Sequence, residues 1–267
     1  MLERIEHSSG VVTYQSPQLR AAGVLHAFTT RLGGVSQGPY ASLNLGSLAK
    51  AVAPDHNTAV AENFRRLRIA LGCPRSRRIE VNQVHGCGVW LAPHQAVRPA
   101  QAPQADAIVS DEAGALLTVR VADCVPILLS DRTGRCVAAV HAGWRGLVAG
   151  VIGQTLDTLQ RAYGIAPADV LAAIGPCIGV EAFEVGPEVA QAFQAIGLAQ
   201  VIDPARSPKP HIDLRQAARL QLHRAGVPPD RIDTTDRCTH RDAHEFFSHR
   251  RDQGVTGRLA AVISARA

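Results

Sequence analysis

The chain has 267 residues, of which 46% are apolar, 19% charged and 4% aromatic, and its formal net charge at pH 7 is +5. This composition predicts a folded protein with a core of Val, Leu, Ile and Ala, and it argues against a disordered chain. The positive charge suits an anionic small molecule such as phosphate. Because the sequence contains no run of five or more Lys and Arg residues, we predict that the protein does not bind nucleic acid.

The six cysteines form no C-x-x-C pair, and a chain of this length gives no reason to expect a disulfide framework. The first ten residues lack the apolar segment of a secretion signal. No apolar stretch reaches the roughly 18 residues that span a bilayer. We therefore expect a reduced, cytoplasmic protein without a membrane partner, either a monomer or a homodimer.

The first part of the chain predicts strands at Val11–Tyr14 and Val24–Thr29, followed by a Gly-rich loop over 31–40. Asp55 is a candidate N-cap for a helix that runs to Leu71. Residues 78–84 alternate as a strand does, and 88–92 are predicted to be its hairpin partner. A loop rich in Ala, Pro and Gln then covers 93–103.

The middle of the chain predicts two further strands, 105–109 and 116–121, and then a hairpin. The hairpin strands are Val125–Ser130 and Cys136–Val140, and the polar residues 131–135 form the turn. One helix is predicted from Gly146 to about Tyr163.

The last part predicts a strand at 170–174, a helix from Pro187, a helix capped by Asp213, and short strands near Ile232 and at 259–263. Strands outnumber helices and come in hairpin-like pairs. This pattern predicts an α+β fold, a layered sandwich with mixed β-sheets. No linker is evident, so we expect residues 1–267 to form a single domain.

Three residues stand at predicted strand ends and carry chemistry. Cys124 enters the first strand of the hairpin and His141 leaves the second, so both lie at its open end. His85 ends a separate predicted strand. Two histidines and one cysteine suit a zinc ion whose fourth position is open, as in catalytic sites, and copper also accepts these ligands.

The same residues allow a second interpretation. Cys124 could be a nucleophile and His141 its base, with Asp123 or Gln83 orienting or stabilising. Arg145 and the helix that follows would then supply the positive setting that favours a thiolate. Spacing alone leaves the metal site and the nucleophile as open alternatives.

Other residues are weaker candidates. Cys177 lies in a Gly-Pro-Cys-Ile-Gly turn after a strand, where loops often carry function. His240 and His244 are four residues apart, but their segment has no apolar stripe and predicts an exposed loop.

Eight motifs in order resemble one family, and together they cover nearly the whole chain. The motifs are Phe28-Thr-Thr-Arg31 with Gly33-Gly-Val-Ser36, Ser42-Leu-Asn-Leu-Gly46, Asn82-Gln-Val-His-Gly86, Ala122-Asp-Cys-Val-Pro126, His141-Ala-Gly-Trp-Arg-Gly146, Ile174-Gly-Pro-Cys-Ile-Gly179, Phe183-Glu-Val-Gly186, and Phe246-Phe-Ser-His-Arg-Arg-Asp252 with Thr256-Gly-Arg258. The sequence resembles the YfiH-like family, labelled polyphenol oxidoreductase laccase and later reassigned as purine nucleoside phosphorylases. Where the family has FFSYRRD, this chain has His249 in place of Tyr.

The resemblance implies a zinc site formed by His85, Cys124 and His141. It also implies phosphorolysis of adenosine, inosine and guanosine, cleavage of methylthioadenosine, and deamination of adenosine. The implied fold is a layered α/β sandwich similar to that of cytotoxic necrotising factor toxins, which are cysteine hydrolases.

Purine nucleosides and phosphate are therefore the expected partners, with His85, Cys124 and His141 as the catalytic residues. Arg31 and Arg145 are our candidates for phosphate, since Arg pairs with phosphate oxygens in a bidentate manner. Asn82 and Gln83 are candidates for the base or the ribose, and Cys177 for a further substrate contact. A copper-dependent polyphenol oxidase, a Cys–His hydrolase and a zinc-stabilised nucleotide-binding module remain the alternatives.

Overall fold

The computed structural model describes residues 1–46, 55–94, 102–203, 205 and 208–266. Its helices are α1 (Pro17–Ala21), α2 (Asn57–Ala70), α3 (Trp144–Val148), α4 (Val151–Tyr163), α5 (Pro187–Ala195) and α6 (Leu214–Arg224). Its strands are β1 (Glu3–Glu6), β2 (Val12–Gln15), β3 (Leu25–Thr29), β4 (Arg77–Glu80), β5 (Val89–Leu91), β6 (Ala107–Ser110), β7 (Ala115–Val121), β8 (Val125–Asp131), β9 (Val137–Ala142), β10 (Val170–Ile174), β11 (Ile202–Asp203), β12 (His211–Ile212), β13 (Ile232–Asp233) and β14 (Leu259–Ser264).

Most strands belong to two six-stranded sheets. Sheet 1 has the order β1-β2-β3-β14-β7-β4, and sheet 2 has the order β13-β10-β8-β9-β6-β5. Most neighbours are antiparallel, but β4 pairs with β7, β5 with β6 and β10 with β13 in parallel. Strands β11 and β12 form a small separate pair.

The two sheets pack face to face, with helices outside. Leu117 of sheet 1 and Leu128 of sheet 2 belong to one buried cluster between the sheets. The neighbouring Leu116 points the other way and packs with Phe64 of α2, whereas Ile127 faces the cluster formed with α3 to α6. Because successive side chains on a strand point to opposite faces, β7 and β8 are apolar on both sides. The order of layers, α2, sheet 1, sheet 2 and α3–α6, confirms the predicted α+β sandwich.

The predicted hairpin is confirmed, because β8 and β9 are antiparallel and Pro126 lies opposite His141. Asp213 is also confirmed as the cap of α6, since its carboxylate accepts a hydrogen bond from Gln216 N at 2.8 Å. The prediction of one domain stays a prediction. No helix in the described ranges is both long and apolar enough to cross a membrane.

Several local predictions were wrong. Strands β4 and β5 do not form a hairpin, because they lie in different sheets and each pairs in parallel with another strand. The helix predicted from Gly146 is divided in two at Gly150, whose φ of +83° is left-handed. Strand β1 was not predicted. Of the predicted loop at 93–103, residues 95–101 lie outside the described residues.

Asp55 does not cap α2, whose N-cap is His56 without a side-chain hydrogen bond. Its carboxylate accepts hydrogen bonds from Ser36 Oγ at 2.6 Å and Asn44 Nδ2 at 2.9 Å instead. Asp55 therefore ties α2 to the Gly-rich loop rather than closing the first turn of the helix.

Candidate metal centre

The hairpin places Cys124 and His141 at the same end of sheet 2. Cys124 immediately precedes β8, and His141 lies near the end of β9. The main-chain N–H of His141 donates to the carbonyl of Asp106 at 2.7 Å, which extends the pairing of β9 with β6. His141 is 3% exposed, so its ring is fixed in the protein interior.

His85 reaches the same place from the segment that links β4 to β5. Its φ of +61° is in the left-handed region, which is uncommon for a residue other than Gly. Unlike His141, its side chain is exposed. The site therefore has one open side.

The three side chains form a compact group. Their candidate ligand atoms all lie within 4.8 Å of one another. Cys124 Sγ is 3.9 Å from His85 Nε2, and the rings of His85 and His141 meet edge to face at 89° with centroids 4.8 Å apart. Around a tetrahedral zinc ion, sulfur and nitrogen ligands stand about 3.6 Å apart. The Cys124–His85 pair fits a zinc ion with a contraction of a few tenths of an ångström, whereas a pair near the 4.8 Å limit must close by about 1 Å or more.

The electrostatics of the group favour the ligand form of the thiol. Burial opposes ionisation, but the charge and hydrogen bonds of His141 and His85 outweigh it and lower the pKa of Cys124 to about 6. Burial is likewise outweighed at His141, where Cys124 and Asp106 raise the pKa to about 9. Both shifts favour a thiolate beside an imidazolium when no metal is bound. Thiolate is the form that binds metals and the form that attacks electrophiles.

A glycine makes room for the group. A Cβ atom on Gly143 would lie 3.2 Å from Cys124 Sγ and 3.0 Å from His85 Cδ2. The backbone of Gly143, with φ −71° and ψ 169°, is one that any residue can adopt. Space beside the thiol, rather than backbone conformation, therefore explains this glycine.

Asp123 fixes the chain just before Cys124. Its φ is +87°, and its buried carboxylate accepts hydrogen bonds from Thr239 Oγ1 at 2.6 Å and Arg250 N at 2.7 Å. The main-chain N–H of Arg250 thereby connects the C-terminal motif to the residue next to Cys124. The ring of His249, the residue that departs from the family pattern, is exposed and lies against Gly254.

Arg145 lines a cavity together with its neighbour Trp144, which follows His141 by three residues in the chain. The cavity has a volume of 510 Å³, a size typical of small-molecule sites. Its lining includes two aromatic residues, Trp144 and Phe183, and the cations Arg145, Lys209 and Arg250. The exposed guanidinium of Arg145 stacks on Trp144 at 4.3 Å from the ring centroid.

The guanidinium of Arg31 donates to two carbonyls, those of Ala41 at 2.7 Å and Ala243 at 3.1 Å, and lies 4.6 Å from the ring centroid of Phe247. These contacts hold the Gly-rich loop against the C-terminal segment. A phosphate contact would compete with them, so Arg145 is the better placed of the two candidates.

Asn82 and Gln83 differ in their surroundings. Asn82 is exposed and lines a larger cavity of 1060 Å³ between α2 and β4. Gln83 donates from Nε2 to the carbonyl of Arg120 and accepts from Arg120 N, each at 2.8 Å. Both ends of its amide are therefore engaged with the backbone of β7.

Cys177 lies beside the site but not in it. The carbonyl of Asp123 accepts a hydrogen bond from Ile178 N at 3.0 Å, so the Gly-Pro-Cys turn does pack against the Cys124 segment. The thiol itself is 0% exposed, and burial raises its pKa to about 12. A substrate cannot reach it in this structure.

Sequence reasoning missed two residues. Asp106 is 0% exposed and its Oδ1 lies 2.8 Å from His141 Nδ1. The sequence signal that could have identified it is a lone carboxylate inside a predicted apolar strand. Arg258 belongs to the Thr256-Gly-Arg258 motif. Burial lowers its pKa while the charge of Cys124 raises it, which places the guanidinium within electrostatic reach of the site. Within the described ranges, no other His, Cys, Asp and Glu group could hold a metal ion.

Comparison with known proteins agrees with this picture. Residues 25–266 match the family model described as multi-copper polyphenol oxidoreductase laccase. The chain is 41% identical to purine nucleoside phosphorylase YfiH of Escherichia coli, over 96% of this chain and 98% of that protein. It is 43% identical to a purine nucleoside phosphorylase of Deinococcus radiodurans, over 92% of each.

The structure is similar to the crystal structure of YlmD from Geobacillus stearothermophilus, with a TM-score of 0.85, 35% identity and 99% of both chains covered. Both the family model and these relatives span almost the whole chain. The protein therefore belongs to the YfiH and YlmD family, whose model is described as multi-copper polyphenol oxidoreductase laccase.

Proposed function

We propose that the protein is a zinc-dependent purine nucleoside phosphorylase that acts on adenosine, inosine, guanosine and methylthioadenosine, and that it also deaminates adenosine. The observation that carries the proposal is the open group of His85, Cys124 and His141, in a chain whose relatives are named purine nucleoside phosphorylases. The cytoplasmic location and the oligomeric state stay predictions.

His85, Cys124 and His141 would hold the zinc ion and leave its fourth position open toward the exposed side of His85. Bound there, zinc would polarise a substrate oxygen and lower the pKa of water, as deamination at C6 of adenine requires.

In phosphorolysis, a phosphate oxygen forms a bond to C1′ of the ribose while the bond from C1′ to the purine nitrogen breaks. The purine leaves with that electron pair and gains a proton, and ribose 1-phosphate is the second product. Phosphate must therefore lie close to the nucleoside and its charge must be balanced. The cavity offers the cations Arg145, Lys209 and Arg250, but Glu184 and Glu188 also line it, and Lys209 is already paired with Glu184 at 2.8 Å. Arg145 is therefore the cation that we assign to phosphate.

The cavity also has surfaces for a purine. Trp144 follows Gly143, whose Cβ position would lie 3.0 Å from His85 and 3.2 Å from Cys124, so the aromatic side of the cavity is one residue along the chain from the candidate ligand group. Flat rings favour aromatic neighbours. The proposed arrangement places the purine near Trp144 and Phe183 and the phosphate near Arg145.

The test is direct. Purified full-length protein, loaded with zinc, is incubated with inosine and inorganic phosphate, and hypoxanthine and ribose 1-phosphate are measured by chromatography. We expect both products in equal amounts and neither without phosphate. A second reaction with adenosine should release ammonia. If zinc-loaded protein forms no ribose 1-phosphate, phosphorolysis is excluded, and release of hypoxanthine without phosphate would indicate a hydrolase.

One observation favours a second candidate, a Cys–His hydrolase. Cys124, His141 and Asp106 stand in the order of thiol, imidazole and carboxylate used by thiol nucleophiles. Metal content separates the two functions, because zinc removal should abolish the phosphorylase and enhance a thiol hydrolase. Metal analysis also tests copper, although the described residues offer one ligand group and a multi-copper enzyme needs several.

A further inference from the structure

We propose that Asp106 is a positioning residue that sets the geometry of both histidines of the metal centre, an inference that rests on the proposed metal-dependent function. Asp106 immediately precedes β6 and is 0% exposed. Its single carboxylate contacts the two segments that carry His85 and His141.

Four hydrogen-bond donors converge on this carboxylate. Oδ1 lies 2.8 Å from His141 Nδ1 and accepts from the main-chain N–H of His85 at 3.0 Å. Oδ2 accepts from the N–H groups of Gly86 at 2.7 Å and Val84 at 3.3 Å. Three consecutive N–H groups thus form a concave anion site, a backbone nest, around the carboxylate.

This nest explains the conformation of His85. A left-handed φ is unfavourable for His, and three hydrogen bonds to one buried anion stabilise it. If the anion were lost, the segment would be free to return to a more common backbone conformation, and the imidazole would move away from Cys124.

The contact between Asp106 and His141 determines which ring nitrogen of His141 is able to bind a metal ion. With the proton of Nδ1 donated to Asp106, Nε2 is left with the lone pair that a metal ion requires. The backbone of Asp106 adds rigidity, because its N–H donates to the carbonyl of Gly88 at 2.9 Å and its carbonyl accepts from His141 N.

Asp106→Asn is a sharp test, because it keeps the size of the side chain and removes one acceptor. In either orientation of the new amide, its NH₂ group faces two hydrogen-bond donors and cannot accept from them. We expect the full-length variant to bind Zn²⁺ about 10- to 100-fold more weakly than wild type, measured by competition with a chromogenic chelator. Loss of less than about threefold would overturn the proposal.

Asp131→Asn is the matched control. Asp131 also accepts main-chain hydrogen bonds, from Thr133 at 3.0 Å and Cys136 at 2.8 Å, but at the far end of the hairpin. It should retain the wild-type affinity for Zn²⁺. If both variants lose affinity equally, the effect of Asp106 is not specific to the metal centre and the proposal fails.

A measurement on wild-type protein covers the case in which Asp106→Asn does not fold. In protein loaded with ¹¹³Cd²⁺ and labelled with ¹⁵N, we expect His141 to couple to cadmium through Nε2 and to carry its proton on Nδ1. A proton on Nε2 would refute the proposal. Neither readout uses nucleosides, so the proposed phosphorolysis can fail while this inference stands. If wild-type protein binds no metal, both the proposed function and this inference are wrong.

Discussion

Cys124 Sγ and His85 Nε2 lie 3.9 Å apart, and each residue stands where the chain crosses from sheet 1 to sheet 2. Cys124 lies between β7 and β8, and His85 lies between β4 and β5. Two such crossings meet at one end of the sandwich, where His141 of β9 completes the group. The candidate metal centre is therefore built on the junction of the two sheets, and the positions of its three side chains depend on the packing of both.

Replacing Cys124 with Ala should remove both the metal and the activity. A His₂ pair without the thiolate provides two of the three ligands, so bound zinc should fall from one per chain to near zero at low micromolar metal. Metal analysis of the purified protein and the inosine assay measure the two effects. His85→Ala should behave in the same way.

Cys136→Ala is the control for that variant, because Cys136 is a buried core residue whose pKa is raised to about 11, chiefly by burial. It should retain one zinc ion and wild-type activity. If Cys124→Ala loses activity while zinc stays at full occupancy, Cys124 is the nucleophile of a hydrolase rather than a ligand.

The hairpin, and the proximity of Cys124 and His141 at its open end, could be predicted from local sequence. The Val- and Leu-rich runs on both sides of a polar turn indicate paired strands, and pairing brings residues 124 and 141 together. The pairing partners of β4 and β5 could not be predicted in this way, since each is a parallel contact across a long stretch of chain. Long-range pairing is selected by the whole core, not by neighbouring residues.

The roles of single side chains around the site could not be predicted from local sequence either. Gln83 looked like a substrate contact, but its amide completes the hydrogen bonding of Arg120 in β7, beyond the end of β4. Asp106 looked like part of a strand, but it is the anion around which the His85 segment folds. Such roles depend on which donors the fold places nearby, and residue type and spacing carry no information on that.

Gly143→Ala should weaken metal binding without unfolding the protein. The added methyl group would lie 3.2 Å from Cys124 Sγ, so the thiol or His85 must move. We expect the affinity for Zn²⁺ to fall about tenfold, as when the partners that orient metal ligands are lost. The chelator competition assay measures this change.

Gly153→Ala in α4 is the matched control, because, apart from its chain neighbours and the backbone of α4 itself, no atom of the described residues lies within 4 Å of its Cβ position. Ala is favoured over Gly inside a helix by about 0.5–1 kcal/mol, so this variant should be slightly more stable and should bind zinc normally. If Gly143→Ala binds Zn²⁺ as tightly as wild type, the structure has room for a methyl group beside the thiol and the prediction is wrong.

Arg145→Ala should raise the KM for phosphate. If Arg145 provides one charge-assisted hydrogen bond to phosphate, its loss costs about 1.5–3 kcal/mol, which corresponds to at least a tenfold increase in KM. The KM for inosine should change less. Arg145→Lys keeps the charge and should restore part of the phosphate affinity.

Arg65→Ala is the control for a lost surface charge. Arg65 is exposed on α2 and pairs with Glu62 at 2.6 Å, so its removal should leave both KM values unchanged. If Arg145→Ala also leaves the KM for phosphate unchanged, the phosphate site lies elsewhere.

His26 should make the stability of the protein depend on pH. It is 2% exposed, and Ser16 N donates to its Nε2 at 2.8 Å while Nδ1 lies 2.9 Å from the carbonyl of Val24. A proton on Nε2 would oppose the Ser16 donor. Burial, with a smaller effect of Arg20, lowers the pKa of His26 from 6.5 to about 4.

Between these two pH values, His26 therefore binds a proton in the unfolded chain but not in the folded protein. The contribution of neutral His26 is complete above about pH 6.5 and is lost as the pH falls toward 4, a change of about 3 kcal/mol in the free energy of unfolding. Urea unfolding at several pH values measures it. His26→Gln should flatten the curve between pH 6.5 and about 5.5, above most of the range in which carboxylates titrate.

His223→Gln provides the comparison, because His223 is exposed in the last turn of α6. Its stability curve should run parallel to that of wild type. The difference between the two variants isolates the contribution of His26 from that of every other titrating group. If both curves keep the wild-type slope, Nε2 of His26 accepts a proton in the folded state, and the hydrogen bond from Ser16 does not hold the ring neutral.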